Sequence, residues 1–166
     1  MSVDGLLAAL DNTDLASLVR GDWQWAFPII ETFHVISLAL VFGSIVMVDM
    51  RLLGLASRNS SVSKLSAEVL PYTWIAFVLA AITGSILFVS NPRIYFHNPQ
   101  FDLKFLCMFL AGVNMVVFHF GAYRHVLQWD NRLPPPLAAR VAGGLSILLW
   151  MGVIFFGRWI GFIINK

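Results

Sequence analysis

The chain has 166 residues, 58% of them hydrophobic and 12% charged, whereas soluble domains average roughly 45–50% apolar and about 25% charged. Mean hydropathy is +0.77, and a water-soluble fold of this size could not hide so much apolar surface. The aromatic content of 14% also excludes a disordered chain. Eleven basic and nine acidic residues give a formal charge of +2, without the clustered basic face that nucleic acid requires. A single cysteine, Cys107, lies in an apolar run, so neither a disulfide framework nor a CxxC motif is present. The composition predicts an all-α integral-membrane protein: a four-helix transmembrane bundle, one domain over 1–166.

Residues 1–22 read as a short interfacial lead-in, with Leu6, Leu7, Leu10, Leu15 and Leu18 between polar residues. No basic region precedes Arg20, so a secretory signal is not expected. A spanning helix needs about 20 apolar residues, and four stretches supply them: about 27–48, 71–90, 102–123 and 137–164. The second ends at Asn91-Pro92 and the fourth follows Pro134-Pro135-Pro136, both strong stop signals. Trp23, Trp25, Tyr72, Trp74, Tyr95, Trp129 and Trp159 stand at span ends, as an interfacial belt requires. The Ser-rich stretch 57–66 reads as a solvated loop. The pairs Ala80/Gly84, Gly143/Gly144 and Gly157/Gly161 let helices approach closely.

Orientation follows from the basic residues. Arg51, Arg58 and Lys64 lie between the first two spans, and Arg124, Arg132 and Arg140 between the last two. The positive-inside rule then puts both termini outside, in the periplasm of a bacterial inner membrane.

Ionisable residues inside spans are costly and mark function. They are Glu31 and His34 in the first span, Lys104 and His119 in the third, and Arg158 in the fourth. At 1.5 Å per residue, His34 is expected roughly 7 Å outside the midplane and His119 roughly 7 Å inside it. Glu31, Lys104 and Arg158 share the outer level with His34. Glu31, His34, Ser37, Val41 and Ser44 lie on one side of their helix, and Lys104, Met108, Ala111, Gly112, Met115 and His119 form a stripe on theirs.

Neutral imidazole is a strong iron ligand, and bundles build cofactor sites from facing side chains. Haem b would take His34 or His119 as metal ligands, Met108 as a second axial ligand at the level of His34, and Lys104 or Arg158 beside its propionates. The plain alternatives are a His34–Glu31 pair, a snorkelling Lys104 and a Glu31–Arg158 ion pair. Copper would suit soft Met sulfur and imidazole, but the six Met are scattered. A quinone site needs only an acid or His beside aromatics, which the outer level offers.

The segment Ile29-Ile30-Glu31-Thr32-Phe33-His34 with Gly43 resembles the first helix of the HemJ and copper-resistance CopD group of bacterial membrane proteins. Pro71 through Gly84-Ser85-Ile86-Leu87, and Lys104-Phe105-Leu106 with Asn114, are similar to the next two. Over nearly its whole length the chain looks like a small four-span bacterial family without assigned function, through Ile30-Glu31-Thr32, Asp49-Met50-Arg51-Leu52-Leu53-Gly54 and Gly157-Arg158-Trp159-Ile160. The resemblance to HemJ-like proteins implies His34 as a haem ligand and Lys104 as a functional cation.

The expectation is a haem-b-binding electron carrier, working between quinone and a periplasmic redox protein. A copper- or small-solute-handling protein, or a structural subunit of a homo-oligomer or membrane complex, is the alternative.

Overall fold

The computed structural model describes residues 2–56, 61–130 and 134–164, with side chains as far as Phe162. Among these residues it is helical, with no strand. The lead-in is ordered: α1 (Val3–Asp11), α2 (Asp14–Ser17) and a π turn at Leu18–Asp22. Ser2 caps α1 through the Gly5 amide and Thr13 caps α2 through the Ala16 amide. Leu7, Ala16 and Val19 are buried, while Leu6, Leu15 and Leu18 remain exposed, so this segment is half packed against the bundle and half free for an interface.

Four helices are long and apolar enough to cross a bilayer. They are α3 (Ala26–Leu52), α4 (Val62–Ser90), α6 (Pro99–Phe120) and α8 (Leu137–Ile164). Short helices α5 (Pro92–Phe96) and α7 (Val126–Trp129) follow α4 and α6, the latter through a 3-10 turn at Ala122–His125. Large apolar side chains such as Phe109 and Leu148, each 68% exposed, line the outside, as contact with lipid tails requires. This is a multi-pass membrane fold.

An even number of crossings puts α1, α5 and the end of α8 at one end of the bundle, the terminal end. The α3–α4 and α6–α8 connections lie at the other, the loop end. Arg58 and Arg132, which contribute to the orientation argument, lie outside the described residues, as do residues 57–60 of the Ser-rich stretch.

The rest of that stretch corrects the sequence reading. Ser61 accepts a hydrogen bond from the Lys64 amide at 3.2 Å and starts α4 nine residues before Pro71. Pro71 therefore sits inside the helix, which membrane helices tolerate because neighbours satisfy the freed carbonyl. The carboxylate of Asp130 accepts hydrogen bonds from the Val62 and Ser63 amides and from the Ser63 hydroxyl, capping α4 from across the bundle. Arg51 donates to the Asp130 carbonyl at 3.1 Å. Around this knot Leu52, Val62, Val126, Trp129 and Ala139 form a buried cluster. α3 ends in a Schellman motif: Leu55 N donates to Met50 O and Gly54 N to Arg51 O, with Gly54 at φ +75°.

α3 packs on α4 and α8, and α6 packs on α8, while α4 and α6 barely meet. At the loop end α3 and α8 come very close: a Cβ on Gly143 would stand 3.1 Å from the Asp49 carbonyl oxygen and from Leu52 Cβ. Polar ties join the helices here, Thr73 Oγ1 to Ser44 Oγ at 2.8 Å and Asn114 Nδ2 to the Ala142 carbonyl at 2.9 Å. Interhelical hydrogen bonds of this kind average about 0.6 kcal/mol in a membrane. Toward the terminal end the same helices enclose a cavity.

Candidate functional site

The cavity has a volume of about 610 Å³, within the roughly 300–1,000 Å³ of small-molecule and cofactor sites. Its polar lining is Glu31, His34, Asn91, Tyr95, Lys104 and Arg158, from α3, the α4–α5 junction, α5, α6 and α8. Its apolar wall includes Phe27, Phe88, Phe101 and Phe162. Four residues expected at one depth, on three helices, thus meet around one space.

His34 is held from α4. Its Nδ1 lies 3.0 Å from Thr83 Oγ1. The Thr83 hydroxyl has one hydrogen, which goes to the Leu79 carbonyl at 2.7 Å, so it accepts from Nδ1–H. The neutral ring is accordingly assigned its lone pair on Nε2. The ring abuts Gly84 with its Cε1 corner, from which an added Cβ would be 2.9 Å. Gly84, expected as a helix-packing residue, serves as a seat for the imidazole. Thr83, not Glu31, is the partner of His34.

Lys104 enters from α6 in the second turn after the Asn98 cap, which accepts from the Gln100 amide at 2.9 Å. Its aliphatic stem runs along Gly157, where an added Cβ would stand 3.5 Å from Cδ and 3.7 Å from Nζ. Arg158 lies over the Phe162 ring at 5.3 Å in a cation–π contact. The Glu31–Arg158 ion pair is not formed; among the described residues the ion pair is Arg20–Asp11. Glu31, Lys104 and Arg158 line the cavity without an ion-pair or hydrogen-bond partner among those residues. The phenol of Tyr95 lies beside them, its pKa raised above the usual range by burial and then by the charge of Glu31.

Two expected site residues stand elsewhere. Met108 is half-buried one turn deeper than Lys104 and does not line the cavity, although the cavity wall reaches beyond that level through Leu38, Ala39 and Val153. His119 is exposed in the last turn of α6 at the loop end, its ring 4.7 Å from that of Tyr123. The predicted stripe on α6 is therefore divided: only its first member reaches the site. Thr83 was not singled out by sequence, and Asn91 and Tyr95 were read as a helix stop and a belt residue, not as site residues, since the contacts that recruit them join different helices.

No group of three or more His, Cys, Asp or Glu side chains poised to share a metal ion occurs among the described residues. The chemistry the cavity offers is that of one fixed imidazole, two cations without an ion pair among the described residues, and one carboxylate within aromatic walls. No curated protein and no solved structure matches the chain. The chain belongs to a family of unknown function, DUF6644, which it matches over residues 26–163, a range that takes in all four spans and every residue lining the cavity.

Proposed function

We propose that the cavity binds haem b, with His34 as the residue that would hold its iron, in an electron-carrying protein of a bacterial inner membrane whose termini face the periplasm. The observation that carries this reading is the imidazole itself: Thr83 holds Nδ1–H, leaving Nε2 as the donor, beside two cations that have no ion-pair partner among the described residues. Metal-binding histidines are usually fixed in this way by a hydrogen bond at the other nitrogen.

The residues fit the group. Lys104 and Arg158 suit two propionates, and the aromatic wall suits a flat macrocycle. Two cations against Glu31 leave one positive charge, complementary to the single net negative charge of ferric haem with ionised propionates. Bound iron would supply one-electron redox chemistry. The chain's own residues orient the ligand, neutralise its carboxylates and exclude water through Leu87, Val153 and the Phe side chains. Met108 takes no part, so His34 is the one ligand drawn from the sequence expectation. Cavity copper is less well served, since its soft-metal donors reduce to one imidazole. Quinone in the bilayer and a redox protein at the terminal end are the partners that the position of the cavity favours.

Absorption spectroscopy of protein purified from haem-replete membranes tests the reading. A Soret band lost in His34→Ala and unchanged in Met108→Leu is expected; wild-type protein without Soret absorbance overturns it.

A further inference from the structure

The four long helices form an open arc in the order α4, α3, α8, α6, and its two ends scarcely touch. Yet both ends line the cavity, α4 through Gly84, Leu87, Phe88 and Asn91, and α6 through Phe101 and Lys104. What spans the gap between them is aromatic. Phe88 of α4 stacks on Phe101 of α6 with centroids 5.4 Å apart. Tyr95, carried by α5, lies 6.3 Å from Phe88 and 5.9 Å from Phe101. Phe101 in turn meets Phe105 at 4.8 Å, and Phe105 is half exposed on the lipid-facing outside.

We infer that this aromatic bridge is a side gate between the bilayer and the cavity, and that the ligand is an amphiphile taken from the outer leaflet between α4 and α6. The inference rests on the haem reading and adds the route and the gate residues. Three features support it. Ring stacking of this kind contributes only about 0.5–1.5 kcal/mol per pair beyond area burial, so the bridge can part without unfolding a helix. The backbones on either side are not locked together, in contrast to the close α3–α8 approach at Gly143. Lys104 and Arg158, without an ion pair among the described residues, lie behind the bridge, where they draw in the carboxylates of a planar dicarboxylate while its apolar ring passes between aromatic faces.

The test is the rate at which ligand-free protein in lipid nanodiscs takes up haemin from donor vesicles, followed by growth of the Soret band. Phe101→Ala should speed both uptake and release severalfold while haem still loads, and Phe101→Trp should slow both. Phe88→Leu, on the opposite helix, should also speed both, which covers the case in which the Phe101 variants do not fold. Unaltered rates in folded variants with a normal Soret band overturn the gate while sparing the haem reading. Uptake that depends only on aqueous haemin, and not on haemin in the vesicles, overturns the bilayer route. Absence of any Soret band in the wild type overturns both.

Discussion

The His34 imidazole rests on Gly84 so closely that a single methyl group there would stand 2.9 Å from its Cε1. Both ring and helix are constrained, the ring by Thr83 and the helix by its packing on α3. Gly84→Ala therefore forces one of them to shift, at a cost of about 1–3 kcal/mol by analogy with overpacked cores. Gly43→Ala is the control, because nothing lies within 4 Å of its Cβ position. Thermal melts in detergent should show a clear loss for Gly84→Ala and little change for Gly43→Ala. Equal melting temperatures for the two variants would contradict the seat.

Thr83 acts on the ring through one hydrogen bond. Thr83→Val keeps the shape and removes one acceptor, leaving the ring with the Ala80 carbonyl, at a cost of about 0.5–1.5 kcal/mol. Under the haem reading, the same change should weaken haem retention by about 10–100-fold, the usual effect of losing the group that orients a metal-binding histidine. Thr83→Ser keeps the hydroxyl and should restore most of it. Identical retention in Val and Ser variants would show that the hydroxyl is not what orients His34.

The legible part of this protein is what a bilayer imposes locally. Long apolar runs give the four crossings, and ionisable residues within them mark a level, so Glu31, His34, Lys104 and Arg158 could be grouped by depth before any fold was known. Boundaries outside the bilayer were harder to read. α4 begins at Val62 with two caps, the local Ser61, which the reading of the stretch as a solvated loop passed over, and Asp130, 68 positions away, which no local pattern reveals. Angular reasoning on α6 grouped Met108 with Lys104, but only Lys104 lines the cavity, since a shared stripe does not say how far around the helix a cavity reaches. The partner of His34 lies 49 residues distant on α4. A nearer candidate, Glu31, fitted the spacing equally well.

Asp130 joins the two connections at the loop end by capping α4 and receiving Arg51. It is 3% exposed, so its removal leaves amides without partners where water does not easily replace it. Asp130→Ala should lower stability by at least the roughly 0.5–2 kcal/mol of an ordinary cap. Asp130→Asn, which retains one acceptor oxygen, should lose less. Hydrogen exchange at Val62 and Ser63 should rise first in the Ala variant; unchanged protection there would refute the capping role.

Arg158 lies over Phe162 and makes no ion pair with Glu31, although both line the same cavity. In the ligand-free protein their contributions should then be independent. Melting of Arg158→Leu, Glu31→Gln and the double variant should show losses that add to within about 0.3–0.5 kcal/mol. A double variant markedly more stable than the sum of the single losses predicts would reveal a direct pairing.

Tyr95 offers a pH-dependent check on the cavity's electrostatics. Burial raises its pKa above the ordinary phenol range, and the negative charge of Glu31 adds to the shift. In the folded protein its phenol should therefore ionise later than an exposed phenol, and Tyr95→Phe should remove that late component from the phenolate absorbance. The sign for stability follows directly. A phenol whose pKa is raised by folding binds its proton more tightly in the native state, so its effect is absent below the unfolded phenol's pKa. As pH rises through that value the unfolded chain loses its proton first, and stability falls until the native phenol also ionises. Glu31→Gln removes the second cause and leaves the first, so the late component should move part of the way back toward the ordinary range. A titration that does not move in Glu31→Gln would separate the carboxylate from Tyr95, and with it the shared polar corner that the two residues form in the cavity.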